Sequence, residues 1–357
     1  MTTFASAAVS FAATALVAGV LVGLIARLAP RLGWLDVPVA RSAHRTPVPR
    51  VGGLGIVGAI ALAGLVLPAW WTPTQWAALG LIAFVGFLDD LWNLPATPRL
   101  LTHVVAATLI TSGHAHEASG LWRLASVVWL TGFINAFNFM DGIDGIAGLH
   151  AAIAGGAWLT MGVVADDPRL LVAGAVLGGA SVGFLVFNWS PARIFMGDVG
   201  ATFLGAVLAS MPWVTPQPSR WIVPAVVVLS PFWADAGLTL LKRALRGAVL
   251  HQGHQEHFYQ RLVGGGLQHS TVATGYGLMT AIGGGAAVAL TLLDTARTPG
   301  TTALILLTTA GLLGLCTGVM RRAGRHKTTG ARPVFTMPRG NRAGATDGVT
   351  ESSPPLA

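Results

Sequence analysis

Charge is what this chain lacks most. Only 10% of its 357 residues are Asp, Glu, Lys or Arg, while 53% are hydrophobic. A water-soluble globule carries about 25% charged residues, so that class is excluded. A single cysteine, Cys316, excludes a disulfide within the chain and any cysteine-rich metal module. The first apolar run, residues 4–28, lacks the positively charged start and small-residue cleavage site of a removable leader, so it reads as a retained span.

What is present is a succession of long apolar runs. A helix that spans lipid needs roughly 20 mostly apolar residues, because the hydrocarbon offers its backbone no hydrogen-bond partner. Such runs cover residues 4–28, 52–68, 76–88, 100–111, 126–137, 149–164, 170–187, 201–214, 221–241, 272–293 and 301–319. They predict an all-α, polytopic membrane protein of about 11 transmembrane helices. If the loop after the first run is cytoplasmic, only Arg123, Arg169, Arg220 and Arg297 of the 22 Lys and Arg lie on the far side. That asymmetry places the N-terminus outside and the functional loops on the cytoplasmic face. The net charge of +8 then reflects topology and anionic lipid, with no nucleic acid as partner. One membrane domain, residues 1–320, is expected, followed by a basic, disordered cytoplasmic tail, residues 321–357.

The polar residues gather in the loops of the basic side. Asp89 and Asp90 end the third run in FLDDLWN; two adjacent acids at a membrane boundary call for a compensating cation or proton, or else mark a solvated helix end. In NAFNFMDGIDGIAG, Asn138, Asp141 and Asp144 recur every third residue, so one helical turn would carry them on one face, with Asn135 a turn earlier. In FNWSPARIFMGDVGA, Asn188, Arg193, Phe195 and Asp198 combine an amide, an aromatic and an acid beside flexible glycine; Asp198 alone would pass for a helix N-cap. The loop LKRALRGAVLHQGHQEHFYQRL sets His251, His254, His257 and Arg261 at helical spacing, which suits a diphosphate better than a structural metal. In DVPVARSAHRTPVPRVGG, Asp36, Arg41, His44, Arg45 and Arg50 accompany two stiffening prolines. Asp235, inside the ninth run, is a further candidate because an acid within a span is rarely idle, whereas His103, His114 and His116 read as incidental.

Taken in order, RSAHRTPVPRVGG, FLDDLW, NAFNFMDGIDGIAG, FNWSPARIFMGDVGA and HxxHxxHFYQRL resemble the polyprenyl-phosphate N-acetylhexosamine-1-phosphate transferase superfamily, glycosyltransferase family 4. The match runs over residues 36–262. The resemblance implies that Asp198 binds magnesium, with manganese as the alternative ion, and that Phe195 stacks on uracil. Asn138, Asp141 and Asp144 would serve the nucleotide and phosphate site. Asp89 and Asp90 would be the paired acids, as base or metal ligands beside Asp198. His254 and His257, with Arg261, would contact the sugar diphosphate; Asn188, Arg45 and Arg50 complete the expected substrate set. Three departures stand out: Asn93 replaces an often-present third acid, Ala201 an often-present serine, and the PxHHHFE-like run of the peptidoglycan enzyme is missing. HFYQRL is closer to the WbpL type.

The expected reaction moves N-acetylhexosamine 1-phosphate from a UDP-N-acetylhexosamine to undecaprenyl phosphate in the bacterial inner membrane, initiating O-antigen or another envelope polysaccharide. Phospho-MurNAc-pentapeptide transfer is the alternative within the family. A solute or ion-coupled transporter would place its acids near the bilayer midplane rather than at helix ends. A non-catalytic envelope scaffold is the third reading. A CDP-linked transferase would need a DGxxAR array that DGIDGIAG lacks. A homodimer is left open.

Overall fold

The computed structural model describes residues 2–37, 46–67, 70–113, 119–248, 254–293 and 299–328. Arg41, His44, Arg45, His114, His116 and His251 lie outside them. The described chain is helical apart from a two-stranded clasp. Helix α1 (Thr2–Leu32) leads into β1 (Leu35–Asp36), which pairs antiparallel with β2 (Val48–Pro49), Leu35 opposite Pro49 and Asp36 opposite Val48. Then come α2 (Gly53–Val66), α3 (Pro73–Trp92), α4 (Ala96–Ser112), α5 (Gly120–Met140), α6 (Ile146–Val164), α7 (Pro168–Asn188) and α8 (Gly197–Ser210). A 3₁₀ turn (Met211–Val214) precedes α9 (Pro218–Val228) and α10 (Ser230–Leu245); α11 (Phe258–Gly264), α12 (His269–Leu292) and α13 (Pro299–Thr328) complete the chain.

Each of the eleven apolar runs lands on helix, but the expected count of spans does not hold. Among the described residues seven helices are long and apolar enough to cross a membrane, or eight if α9 and α10, bent by 72° at their break, count as one broken span. The ninth run hides that bend because hydropathy is blind to direction, and Pro231, which lacks an N–H, starts the second piece. Helix α2 has 14 residues and is too short to cross alone. Helices α4 and α5 fall outside the set, carrying Arg99 and His103, and Arg123, Asn135 and Asn138, respectively. Helix α13 continues to Thr328, past the domain boundary expected at residue 320.

Helix α7 lies at the centre, buried between α6 and α1. In lipid no hydrophobic gain drives apolar helices together, so close backbone contact through small residues carries much of the association. A Cβ on Gly155 of α6 would stand 2.5 Å from the backbone nitrogen of Gly178 on α7. Every second chain reversal returns to the same end of the bundle. The C-termini of α3, α5, α7 and α10 and the starts of α4, α6, α8 and α12 therefore meet there, and the fold collects its polar loops into one place. Gly155→Val should force α6 from α7 and cost about 1–3 kcal/mol; thermal unfolding of the detergent-solubilised chain reads this as a lowered midpoint, while Gly156→Val, where a Cβ meets nothing within 4 Å, should leave it near wild type.

Candidate active site

At that end, the last two turns of α3 present Asp89 and Asp90, both buried at 4% exposure. Asp90 accepts the backbone N–H groups of Asp198 (2.9 Å) and Val199 (3.0 Å), one on each oxygen. It therefore caps the otherwise unpaired first amides of α8 from a helix more than a hundred residues earlier in the chain. The approach requires glycine at 197: its φ is +74°, and a Cβ there would lie 2.6 Å from the Asp90 carboxylate. Asp198 is thus in the first turn of α8 and is itself held by a cap, instead of serving as one. Its own carboxyl group stays half-exposed.

Asp89 accepts the N–H of Leu94 at 2.7 Å, closing the turn after α3, and is bonded by the guanidinium of Arg99 at the start of α4. The same guanidinium nitrogen is 3.7 Å from Asp198 Oδ2, so one cation faces both acids. Arg50 follows β2; the clasp is stitched to the loop before α8 by Phe195 N–H donating to Pro49 O (2.8 Å) and Gly52 N–H donating to Phe195 O (2.9 Å). The Nε atoms of Arg50 and Arg99 are buried without a hydrogen-bond partner.

The Asn138, Asp141 and Asp144 set is brought to the same place by a different local structure from the one the spacing suggests. Helix α5 ends at Met140; Asp141 is its C-cap, with φ −84° and ψ 57°, and Asp144 lies in the turn before α6. Asn138 is therefore in the last turn of α5 while Asp141 and Asp144 lie in the loop after it, so the three do not share a helical face. Desolvation, with the negative charges of Asp90 and Asp144 added, pushes Asp141 up to about 7. Although desolvation works the other way, a bond from His269 at the start of α12 (3.3 Å between Nδ1 and Oδ2) and the N–H of Ala192 (3.2 Å) hold Asp144 below the usual carboxylate range. Asn188 is buried, its oxygen accepting from Gly145 N–H (3.0 Å) and its nitrogen donating to Ile194 O (2.9 Å), which ties the two site loops together.

The histidines do not form a helical stripe. His254 and His257 stand on irregular chain ahead of α11, their rings 4.8 Å apart, and His257 is the N-cap residue of that helix. His257 is buried and stacks on Phe139, the neighbour of Asn138, at 6.0 Å. Tyr259 donates its hydroxyl to Phe139 O at 3.0 Å, which docks the histidine segment on the end of α5. Arg261 is exposed and lines a cleft of about 1060 Å³ between the α9–α10 break, α12 and α13. Asp89, Asp90, Asp141, Asp144 and Asp198 do not line this cleft, whereas Asp235 and Glu256 do; Gln255, Glu256 and Phe258 bring the histidine segment to its wall. Arg99 and His269 went unnoticed as site residues. Arg99, ten residues past Asp89 at the head of the next helix, carried a detectable signal, whereas the pairing of His269 with Asp144 across 125 positions did not.

With this geometry in view, the comparisons with known proteins are decisive. The glycosyl transferase family 4 model matches residues 73–215. A decaprenyl-phosphate N-acetylglucosaminephosphotransferase of Mycobacterium tuberculosis is 31% identical over 302 residues, covering 70% of this chain and 74% of its own length. A putative glycosyltransferase of Streptomyces coelicolor is 32% identical over 362 residues, 96% of this chain and 84% of its own. The chain belongs to glycosyl transferase family 4. Within that family of polyprenyl-phosphate hexosamine-1-phosphate transferases, a phospho-N-acetylmuramoyl-pentapeptide-transferase of Lactiplantibacillus plantarum is 32% identical, over 47% of this chain and 61% of its own. The matched segment opens at the first residue of α3 and closes just past α8, so it contains Asp89, Asp90, Asp141, Asp144 and Asp198.

The cap has a direct consequence. Gly197→Ala, which drives a methyl into Asp90, should lower activity by on the order of 100-fold through misplacement of Asp198 and reduce stability by about 1–3 kcal/mol, read from turnover and unfolding of the same preparation. Gly113→Ala, where a Cβ meets nothing, is the control and should match wild type in both.

Proposed function

We propose that the chain transfers N-acetylhexosamine 1-phosphate from a UDP-N-acetylhexosamine to undecaprenyl phosphate at the cytoplasmic face of the bacterial inner membrane, releasing UMP. The observation that carries the reading is the meeting of Asp89, Asp198 and Arg99 at one end of the bundle, beside Asn138 and Asp141. That end also gathers Arg50, Arg193, Lys242, Arg243, Arg246 and Arg261, whereas Arg123, Arg169 and Arg220 stand at helix starts on the opposite end. By the positive-inside rule the site faces the cytosol, where nucleotide sugars are made available to membrane enzymes.

The donor set fits magnesium. Mg²⁺ is ordinarily held by one or two carboxylates and completes its shell with water and substrate phosphate oxygens. Among the described residues there is no group of three His, Cys, Asp or Glu side chains arranged as an all-protein cage. Asp198 would hold the ion, with Asp89 beside it joining only by giving up its bond to Arg99; both Asp90 oxygens are engaged by backbone amides of α8, so its part is to aim Asp198. When bound, the cation would neutralise charge on the diphosphate as the transition state forms. The orphaned Nε groups of Arg50 and Arg99 are donors of the geometry that phosphate oxygens accept.

An oxygen of the lipid phosphate attacks the β-phosphorus of the UDP-sugar, the bond from that phosphorus to the bridging oxygen breaks, and UMP leaves with the electron pair. A phosphate monoester with a second pKa of about 6 is already largely ionised near neutrality, so positioning outweighs base strength here. Phe195, half-exposed on a loop pinned at both backbone atoms, is the aromatic proposed to stack on uracil. The apolar cleft beside the histidine segment supports a polyprenyl acceptor: its walls include Val226, Leu238, Met279 and Leu313, and Lys242, Arg246, Arg261 and Arg321 stand at its site end. An O-antigen or related envelope polymer is the proposed destination, and a MurNAc-pentapeptide donor is the competing one.

Asp198→Asn should cut UMP release by about three orders of magnitude, the several kcal/mol expected of a lost metal ligand, with membrane insertion intact. Near-normal turnover by that variant refutes the metal assignment. A panel of UDP-GlcNAc, its deoxy and epimeric relatives and UDP-MurNAc-pentapeptide, each with undecaprenyl phosphate, identifies the donor; selective turnover of the pentapeptide would replace the polysaccharide reading.

A further inference from the structure

Asp235 has no part in the reaction just described, yet its carboxylate joins three elements. It lies in α10, just beyond the 72° break, and is 8% exposed. Its Oδ1 accepts the N–H of Phe258 (2.8 Å) and the hydroxyl of Thr239 (3.3 Å); its Oδ2 accepts the N–H of Tyr259 (3.2 Å) and the hydroxyl of Tyr276 from α12. The same Oδ1 is 3.7 Å from Nδ1 of His257, which is buried. So an acid on a broken helix grips the first two residues of α11 and faces the imidazole that precedes them.

A buried carboxylate is costly unless its oxygens are satisfied, and two of the four hydrogen bonds that satisfy this one come from the two residues that follow His257. A bare seven-residue helix would not hold its start in place in isolation. A carboxylate beside Nδ1 favours the tautomer with its proton on that nitrogen, which leaves Nε2 as the nitrogen available to a ligand. Phe139, whose ring stacks on the imidazole, comes from the element that ends in Asn138 and Asp141.

We infer that Asp235 is a positioning residue for the transfer reaction, fixing the place and tautomer of His257 at the diphosphate site from the far side of the α9–α10 break. The inference rests on the transferase reading above. It explains why an acid persists inside an apolar run without reaching the acids of α3 and α8. It also gives the break a role, since the helix beyond the bend is the one that carries Asp235 to the start of α11.

The test is a double-mutant cycle on the full chain in detergent, following UMP release from UDP-N-acetylhexosamines with undecaprenyl phosphate. Asp235→Asn should lower kcat by about 100-fold, as loss of alignment does, with KM for the donor shifting less than about threefold. The double variant Asp235→Asn with His257→Ala should be no slower than His257→Ala alone, because residues acting through one another are non-additive. A loss in the double variant equal to the product of the single losses, or an Asp235→Asn variant within about twofold of wild type, overturns the inference and leaves the transferase reading standing. If Asp235→Asn is not recovered as a monodisperse protein, Tyr276→Phe, which removes one donor and keeps the charge, enters the same cycle; non-additivity with His257→Ala upholds the inference and additivity overturns it. A wild-type chain that releases no UMP from any UDP-sugar sinks the transferase reading itself and the inference with it.

Discussion

The carboxylate of Asp90 placed on the first two amides of α8 is the contact from which the rest of the site follows. A helix start in an apolar bundle leaves N–H groups that water cannot satisfy, and here they are satisfied by an acid from a different helix. Because both oxygens are used, the pair of helices cannot slide without exposing both donors at once. Asp198 is consequently fixed beside Asp89 and Arg99, and the glycine at 197 is the price of that proximity. The acid adjacent in sequence, Asp89, points its bonds toward the turn and Arg99, which is how two neighbouring carboxylates can coexist at the end of one helix.

Around this cap the other loops are tied to one another by bonds that each end on a backbone group. The clasp strand is stitched to the loop that carries Phe195, Asn188 joins that loop to the one after α5, and Tyr259 and Phe139 dock the histidine segment on the same helix end. Such a site is prearranged on rigid elements before any ligand arrives, which suits a transfer reaction whose catalysis is positioning and charge neutralisation. The large, mostly apolar cleft is walled in part by the histidine segment and not by Asp89, Asp90 or Asp198. Two substrates of different character, one nucleotide and one lipid, can therefore approach the same place by separate routes.

Much of this was legible in the sequence where chemistry left a local trace. Adjacent acids at a span boundary, the Asn138 to Asp144 run and the Gly-Asp-x-Gly start of α8 each announced themselves, and their order carried the family. Local geometry was legible only in part. Spacing of three suggested helix for Asp141 and for the histidines, but helix α5 ends at Met140 and α11 starts at Phe258, because glycines follow Asp141 and the histidine segment is held by tertiary bonds instead of its own propensity. The bend at Ser230 and the pairings of Asp235 with α11 and of His269 with Asp144 were invisible, since each depends on which elements meet in space. The span count failed for a related reason: an apolar run measures composition, not whether one straight helix occupies it.

The central claim is that these loops form a single site for one divalent cation and a nucleoside diphosphate. Mn²⁺ is paramagnetic and can stand in for magnesium, so electron paramagnetic resonance of the solubilised chain addresses the claim directly. The account predicts one tightly bound Mn²⁺ per chain in the presence of a UDP-N-acetylhexosamine, with hyperfine coupling to donor phosphorus, lost in Asp198→Asn. A bound Mn²⁺ that shows no phosphorus coupling, or that persists unchanged in that variant, would contradict it.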